Sequence, residues 1–247
     1  SARARAEVPH HLIDIIEPHE QLSVAAFRRL ARGVIDDVIA RGATPLLVGG
    51  SGLYFRAVVD PLAFPPTDPT VRERLERQWA NDPAAAHAFL AAHDPVAAER
   101  IDPGNLRRTV RALEVIELTG GTFSGFDEGL DRYVSVYADL RVGYLEPEPP
   151  TLRARIERRA AAMVERGLLD EARALRAAGP LSRTARQAIG YAEAYAVLDG
   201  ELAGSELAST IARRTWRFAK RQRSWFRADA RCVPETAQEV VERFYEA

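Results

Sequence analysis

The chain has 247 residues and a formal net charge of −1, and its 34 basic residues comprise 33 arginines and one lysine, Lys220. Its apolar fraction of 47% and charged fraction of 28% are ordinary for a soluble globular protein of one large or two smaller domains. Because the net charge is near zero, any contact with nucleic acid has to come from local clusters of arginine.

Rare residue types and the length of apolar runs argue against P-loop, disulfide-bonded and membrane-spanning proteins. A Walker A phosphate loop needs the pattern G-x-x-x-x-G-K-[ST], and no glycine precedes Lys220 in that register, so these residues contain no such loop. The lone Cys232 cannot form an internal disulfide, which favours a reducing compartment. No apolar run reaches the ~18 residues of a membrane-spanning helix. Since the only methionine is Met163, we expect a processed or partial chain.

The first fifty residues predict a strand, a helix and a second strand. Residues 10–16 are a short apolar run that Pro18 ends, which indicates a strand. Ser23 can cap a helix whose apolar residues recur every three or four positions and which ends at Gly42. The apolar run at residues 44–50 is typical of a central parallel strand buried on both faces.

A glycine-rich turn, Gly49-Gly50-Ser51-Gly52, follows the second predicted strand and leads into a predicted helix. Open α/β sheets bind ligands at such strand-to-helix turns, where glycine allows close backbone approach and the helix offers unpaired N–H groups. The alternative is a plain tight turn, and spacing alone favours that alternative slightly.

Prolines between residues 61 and 70 indicate a domain boundary, and the chain then predicts only helices to about residue 120. These helices begin near Pro69, residues 82–83, residues 94–95 and residues 103–105. In the last of them Arg107 and Arg111 share a helix face, with Arg108 close to Arg111. The alternative is a solvated face that Glu114 and Glu117 partly neutralise.

The remaining chain predicts a loop at residues 120–132, one or two strands at 133–145, and helices to the end. The predicted helices are 151–167, 168–178, 188–199, 201–227 and 235–247. The segment Gln187-Ala188-Ile189-Gly190-Tyr191 precedes one of them, and its glycine could let a base approach closely. The alternative is a helix start with a packed tyrosine.

Seven basic residues lie on the predicted helix at 201–227, and no acid lies between residues 207 and 228. Arginine binds phosphate through paired hydrogen bonds and stacks on bases, and the interleaved aromatic residues offer bases a flat surface. The alternative is an amphipathic helix with solvated arginines, and the lack of local acids favours a polyanion site. The seven are Arg213, Arg214, Arg217, Lys220, Arg221, Arg223 and Arg227.

The five histidines form no metal-ligand pattern, and no nucleophile–base pair can be assigned. Taken in order, however, these segments resemble the tRNA dimethylallyltransferase (IPP transferase) family from about residue 9 to residue 227. The matching segments are residues 9–14, 49–54, 68–72, 94–101, 107–115, 187–191 and 219–227. Several blocks in the right order make the resemblance specific.

The resemblance implies transfer of a dimethylallyl group from its diphosphate to N6 of the adenosine beside the tRNA anticodon. It implies an α/β fold with a P-loop-kinase-like parallel sheet flanked by helices. Residues 1–66 and 121–247 would form this core with its C-terminal helices, and residues 67–120 an all-helical insertion that grips the anticodon stem-loop. The implied partners are tRNA and dimethylallyl diphosphate, and we expect a cytoplasmic monomer with no membrane contact.

The family's motifs also imply site residues. A substrate channel would include Gly49, Gly50 and Tyr54, with Ser51 where the family usually has threonine. The implied tRNA-binding residues are Ser51, Arg72, Arg107, Arg108, Thr109, Val110, Arg111, Gln187, Ala188, Ile189, Gly190, Tyr191, Ala192, Lys220, Arg221, Gln222, Arg223, Ser224, Trp225, Phe226 and Arg227.

The sequence departs from the family in three places. The family's P-loop, which holds the diphosphate with Mg²⁺, and the acidic general base after it are expected upstream of Ser1, so no catalytic residue or metal ligand is assigned. We therefore expect these residues alone to lack transferase activity. Trp216 replaces a usual arginine before the A-K-R-Q block, and the loop at 120–132 is short.

Two other functions stay open. A non-catalytic tRNA-binding module would keep the arginines and lack the chemistry. An adenylate isopentenyltransferase would act on a free nucleotide, but the helical insertion with Arg107, Arg108 and Arg111 argues against it, because a mononucleotide needs no such arm.

Overall fold

The computed structural model describes residues 7–126 and 132–245. The described part is mainly helical with one small parallel sheet. Its elements are α1 (Val24–Ala40), α2 (Gly52–Val59), α3 (Pro69–Trp79), α4 (Pro83–His93), α5 (Pro95–Arg100), α6 (Leu106–Thr119), β1 (Tyr144–Leu145), α7 (Pro149–Glu165), α8 (Leu168–Ala178), α9 (Arg183–Arg186), α10 (Tyr191–Leu198), α11 (Leu207–Arg227), β2 (Pro234–Glu235) and α12 (Ala237–Tyr245).

The sheet consists of β1 and β2, which pair in parallel, with Tyr144 opposite Pro234 and Leu145 opposite Glu235. A strand within residues 133–145 is thereby confirmed at its C-terminal end only. The helix predicted to begin at residue 235 begins at Ala237, because Glu235 still belongs to β2. The loop predicted at 120–132 lies partly outside the described residues, and its described part contains a short 3₁₀ turn, Ser124–Phe126.

The predicted strands at 10–16 and 44–50 are wrong. Leu12 and Asp14 have φ of 59° and 57°, in the left-handed region that no strand residue adopts. Leu46 and Val48 are 73% and 81% exposed. A strand needs a neighbour for its backbone N–H and C=O groups, and among the described residues only β1 and β2 pair. Apolar content alone therefore misled the prediction.

The chain divides into two compact units, one of which comprises residues 59–136 and encloses the predicted insertion. In this unit α3 and α4 both pack against α6. The helices begin where the sequence predicted, because Asp68, Asp82, Asp94 and Asn105 each accept a backbone hydrogen bond as the N-terminal cap. The core contains Leu75, Leu90, Ala97, Ala98, Ile101, Val110, Ala112 and Leu113.

The other unit comprises the residues before 59 and after 136. In it α7 packs along α11 and α8 packs on α10, around a core of Ala160, Leu168, Ala172, Ala194, Tyr195, Leu207 and Ile211. The predicted helices at 151–167 and 168–178 are confirmed within two residues. α10 begins only at Tyr191, because Gly190 has φ of 102°. α11 begins only at Leu207, after a 3₁₀ turn at Gly204–Glu206.

Candidate nucleic-acid interface

The glycine-rich turn lies directly against α11. The Gln222 side-chain amide donates a hydrogen bond to the Gly50 carbonyl at 2.6 Å. A Cβ atom on Gly52 would lie 1.9 Å from Trp225 Cδ1, and one on Gly50 would lie 2.2 Å from Gln222 Nε2. A side chain at residue 52 would therefore displace the Trp225 ring, whereas one at residue 50 would meet only the movable end of Gln222. Two segments that the sequence could only place separately form one site, with Ser51 exposed beside them.

Tyr54, predicted to line a substrate channel, is half-buried on α2. Its ring lies 5.0 Å from that of Phe27, and its hydroxyl donates to the Leu22 carbonyl at 3.5 Å. Burial raises the pKa of Tyr54, so the hydroxyl stays protonated at neutral pH. In this position Tyr54 anchors α2 against α1, while Gly49 is exposed with open space around its α-carbon.

Acids from other elements neutralise three of the seven basic residues of α11. Arg214 pairs with Glu193 at 2.6 Å, and Arg223 and Arg227 both pair with Glu146, also at 2.6 Å. Because no acid lies within α11 itself, the sequence overestimates how many of its basic residues are unpaired. The four others are Arg213, Arg217, Lys220 and Arg221, and none of them pairs with an acid among residues 7–126 and 132–245.

These four cations form one exposed face of α11, which we call the basic face. Their positions recur at three and four residues, so their side chains project from the same side of the helix. The Arg221 guanidinium lies 5.9 Å from the ring centroid of Phe218, which is 40% exposed. Ser224 follows one turn later and is also exposed. A guanidinium held over an exposed aromatic ring and flanked by unpaired cations suits phosphates and bases.

The acid-paired arginines of α11 and Phe226 have a structural role. Burial by itself would raise the pKa of Glu146, but hydrogen bonds from Arg227, Arg223 and Tyr144 lower it, so the carboxylate stays charged. Burial and the adjacent Glu146 charge raise the pKa of Tyr144 to about 12. The Phe226 ring lies 5.7 Å from that of Tyr144, so Phe226 packs inside the unit. The predicted RNA contacts at Arg223, Phe226 and Arg227 thus also hold the fold together.

The turn at residues 187–192 is tied to α11 through Arg214, which donates to the Gln187 carbonyl at 2.9 Å. The Gly190 N–H donates to Glu193 at 2.7 Å. The Tyr191 hydroxyl donates to Glu171 at 2.6 Å, and this hydrogen bond together with burial raises the pKa of Tyr191 to about 12. Gln187 is exposed, whereas Ala188, Ile189 and Ala192 are half-buried. Hydrogen bonds therefore hold the turn at residues 187–192 against α11, the helix that carries the basic face.

In the unit of residues 59–136, two predicted RNA-binding arginines meet at one carboxylate. Arg72 donates to Glu114 Oε2 at 2.9 and 2.7 Å, and Arg111 donates to the same oxygen at 2.8 Å. Burial would raise the pKa of Glu114, but the hydrogen bonds from Arg72, Arg111, Asp68 and Thr67 lower it. The carboxylate is therefore charged and holds both guanidinium groups in place.

The rest of the predicted set on α6 divides by exposure. Arg107 and Arg108 are exposed, and neither pairs with an acid in the part of the chain that the structure describes. Thr109 and Val110 are 0% and 1% exposed and lie in the core. The exposed cations that could contact RNA on this helix are therefore Arg107 and Arg108, while Arg111 is partly engaged by Glu114.

Sequence reasoning missed the acids that organise these arginines. Glu114 was weighed only as a partial neutraliser, and Glu146 and Glu193 were not singled out. No local signal could have found the last two, since Glu193 lies 21 residues from Arg214 and Glu146 lies 81 residues from Arg227.

The described residues offer no metal site and no membrane span. No three histidine, cysteine, aspartate or glutamate side chains within 7–126 and 132–245 are arranged to hold a metal ion. None of the described helices is long and apolar enough to cross a membrane. The Mg²⁺ that the resemblance implies therefore finds no fitting ligand set among these residues and stays a prediction.

Comparison with known proteins identifies the family. The family profile described as IPP transferase matches residues 1–229. The chain belongs to the IPP transferase family. The tRNA dimethylallyltransferase of Thermobifida fusca is 49% identical over 245 residues, which span 98% of this chain and 76% of the relative. That of Streptomyces avermitilis is 50% identical over 253 residues, or 97% of this chain and 80% of the relative.

Solved structures agree with this assignment. The tRNA isopentenylpyrophosphate transferase of Bacillus halodurans superimposes with a TM-score of 0.67 at 38% identity, covering 100% of this chain and 79% of that one. A eukaryotic dimethylallyltransferase acting on tRNA gives a TM-score of 0.75 at 23% identity, and the match covers 98% of this chain and 64% of that one. At this identity the match shows a similarity of fold alone. The resemblance drawn from the order of the motifs is confirmed, and the described residues are similar in structure to a solved tRNA isopentenylpyrophosphate transferase.

Proposed function

We propose that the chain transfers a dimethylallyl group from dimethylallyl diphosphate to N6 of the adenosine next to the tRNA anticodon. The relatives named tRNA dimethylallyltransferase support this reaction at 49% and 50% identity. The observation that carries the proposal is the close packing of the glycine-rich turn, with its exposed Ser51, on α11, the same helix that carries the basic face. A polar turn and unpaired cations on one helix suit a bound RNA loop and a base that the loop presents.

The site's own residues would bind and orient the RNA. A base inside a stack cannot meet an allylic carbon, so the reacting adenosine has to leave its stack, as base-modifying enzymes require. Loops present unstacked bases, and phosphate contacts set their register. The basic face, with Arg217, Lys220 and Arg221, would hold loop phosphates. The exposed hydroxyl of Ser51 would face the target nucleotide.

The chemical step is attack of the weakly nucleophilic N6 amine on the allylic carbon, with diphosphate leaving and the N6 proton passing to a base. Such a step needs neutralisation of the diphosphate charge and exclusion of water. The described residues contain neither a phosphate loop nor an unassigned carboxylate at the turn, so the diphosphate site, its Mg²⁺ and the general base stay part of the proposal. So do the monomeric state and the cytoplasmic location.

We also propose the type of sheet in the core and the role of the helical unit. The P-loop-kinase-like parallel sheet that the family resemblance implies is proposed for the core of residues 1–66 and 121–247. The helical unit would serve as the arm for the anticodon stem. Its exposed Arg107 and Arg108 support that role.

Loss of the modified nucleoside tests the reaction. We expect deletion of the gene that encodes this chain to remove dimethylallyl-adenosine from the tRNA of the source organism, as measured by mass spectrometry of tRNA nucleosides. A plasmid copy of the gene should restore it. An unchanged nucleoside content would contradict the reaction and favour the non-catalytic tRNA-binding module. Loss of prenylated free AMP with intact tRNA modification would favour the adenylate enzyme.

A further inference from the structure

A cleft of about 550 Å³ lies beside the turn at residues 187–192, within the unit that contains α8 to α11. Its polar lining comes from α9, α10 and the residues that follow α10. These polar residues are Arg183, Arg186, Gln187, Tyr195, Asp199 and Glu201. Apart from Gln187, none of them belongs to the set that the sequence predicts to bind RNA, and no described metal or catalytic group uses the cleft.

Tyr195 gives the cleft an unused hydrogen-bonding group. The residue is 4% exposed, and its hydroxyl has no hydrogen-bond partner among the described residues. Arg176 lies over the ring at 4.8 Å, and Tyr191 stacks at 6.4 Å, so the ring is fixed. A buried hydroxyl without a partner is costly, and a ligand that brings an acceptor recovers the loss. Burial raises the pKa of Tyr195 although Arg176 and Arg186 act to lower it, so the hydroxyl remains a donor.

The charges of the lining favour an anion. Arg176 donates two hydrogen bonds to Asp199, at 2.6 and 3.1 Å, and thereby neutralises this carboxylate. The lining also contains Arg183, which has an interaction partner of its own, and the carboxylate of Glu201. Arg186 is exposed and pairs with no acid among residues 7–126 and 132–245. Arg186 and Tyr195 both line this cleft.

We propose that this cleft binds one phosphodiester of the RNA, with Arg186 as its counter-ion and the Tyr195 hydroxyl as its hydrogen-bond donor. The inference rests on the proposed function and extends it to a second contact surface. Because the cleft adjoins Gln187, an RNA strand that passes the turn at residues 187–192 would bring a neighbouring phosphate to Arg186. A charge-assisted hydrogen bond from arginine and a neutral one from tyrosine satisfy two phosphate oxygens.

The test compares Arg186→Ala, Tyr195→Phe and the control Arg153→Ala in this chain. Arg153 is an exposed arginine outside the cleft and pairs only with Glu157. The dissociation constant for an anticodon stem-loop RNA is measured by fluorescence anisotropy across a salt series, with the melting temperature of each variant. We expect Arg186→Ala to weaken binding several-fold and to reduce the salt slope by about 1. Tyr195→Phe should weaken binding about threefold or more, without lowering the melting temperature, because its hydroxyl makes no hydrogen bond in the free protein.

Three results would overturn the proposal. Parent-like affinity in both cleft variants, with tight binding by the parent chain, would remove the cleft from the interface and leave the proposed function standing. Failure of the parent chain to bind the stem-loop would contradict both proposals. Binding of inorganic phosphate that Arg186→Ala abolishes, with unchanged RNA affinity, would assign the cleft to a free phosphate ligand instead.

Discussion

Glu114 shows how one buried carboxylate organises a basic surface. The residue is 0% exposed, and it accepts hydrogen bonds from Arg72, Arg111, Thr67 and the Asp68 N–H. A buried charge is tolerated only when it is paired and hydrogen-bonded, and here both oxygens are used. Glu114 therefore links α6 to the start of α3 and fixes two arginines that the sequence alone would leave free.

Replacement of Glu114 by glutamine should reduce stability in a pH-dependent way. At neutral pH we expect Glu114→Gln to lower the free energy of unfolding by about 2 kcal/mol, because Arg72 and Arg111 lose their charged acceptor and the new NH2 group cannot accept a hydrogen bond. The partial exposure of Arg72 keeps the loss at that level. Urea unfolding followed by circular dichroism measures it.

The pH dependence follows from the direction of the pKa shift. The folded-state pKa of Glu114 lies below the unfolded value of about 4.3, so its stabilisation is fully present above that value. It is lost as the pH falls through the folded-state pKa. The difference between the parent chain and Glu114→Gln should therefore narrow in acid. A difference that stays constant down to pH ~3 would disprove the charge-based account. Glu117→Gln, in an exposed pair with Arg74, should cost less than about 1 kcal/mol.

At the scale of elements, the start of α2 depends on glycine because α11 packs on it. A methyl group on Gly52 would meet Trp225 Cδ1 at 1.9 Å, so the indole ring would have to shift away from α2. We expect Gly52→Ala to destabilise the fold by about 1–3 kcal/mol through overpacking. It should also weaken RNA binding, since Trp225 lies on the helix that carries the basic face.

The matched control for Gly52→Ala is Gly49→Ala. Gly49 belongs to the same turn but has no atom within 4 Å of its would-be Cβ, so its replacement should leave stability and RNA affinity close to those of the parent. Thermal unfolding and the stem-loop dissociation constant give both comparisons. Equal melting temperatures for the two variants would show that the close approach of Trp225 does not constrain the turn.

Local signals explain which elements the sequence predicted well. Each helix of residues 69–119 begins after a capping Asp or Asn, and these caps act within three residues. The end of α1 likewise follows from Gly42, whose φ is 72°. A helix end can be predicted from the sequence when the residue that causes it, such as a cap or a glycine, lies within one turn of that end.

Elements and site contacts that depend on distant partners could not be predicted. Residues 44–50 have a strand's composition, yet strand formation depends on a neighbour that no local pattern names. The pairing of Gln222 with Gly50 joins residues 172 positions apart. For the candidate site, the motif order predicted which segments matter, but not that Glu146 and Glu193 would neutralise three arginines of α11.

At the scale of the whole molecule, a chain with a net charge of −1 binds a polyanion only through charge that is locally unpaired. Acids pair with three basic residues of α11 and leave the other four exposed and unpaired among the described residues, so local positive charge arises without a basic overall composition. The family assignment and the basic face therefore support one account, in which RNA phosphates contact Arg217, Lys220 and Arg221 while the glycine-rich turn faces the reacting base.

The salt dependence of stem-loop RNA binding by Arg221→Ala tests this account most directly. Removal of one phosphate contact should weaken binding several-fold and reduce the slope of log Kd against log salt by about 1, with Arg153→Ala unchanged. Both variants lose one positive charge from an exposed helix, so only a contact made by Arg221 distinguishes them. The same affinity and salt slope for Arg221→Ala as for the parent chain would contradict the account.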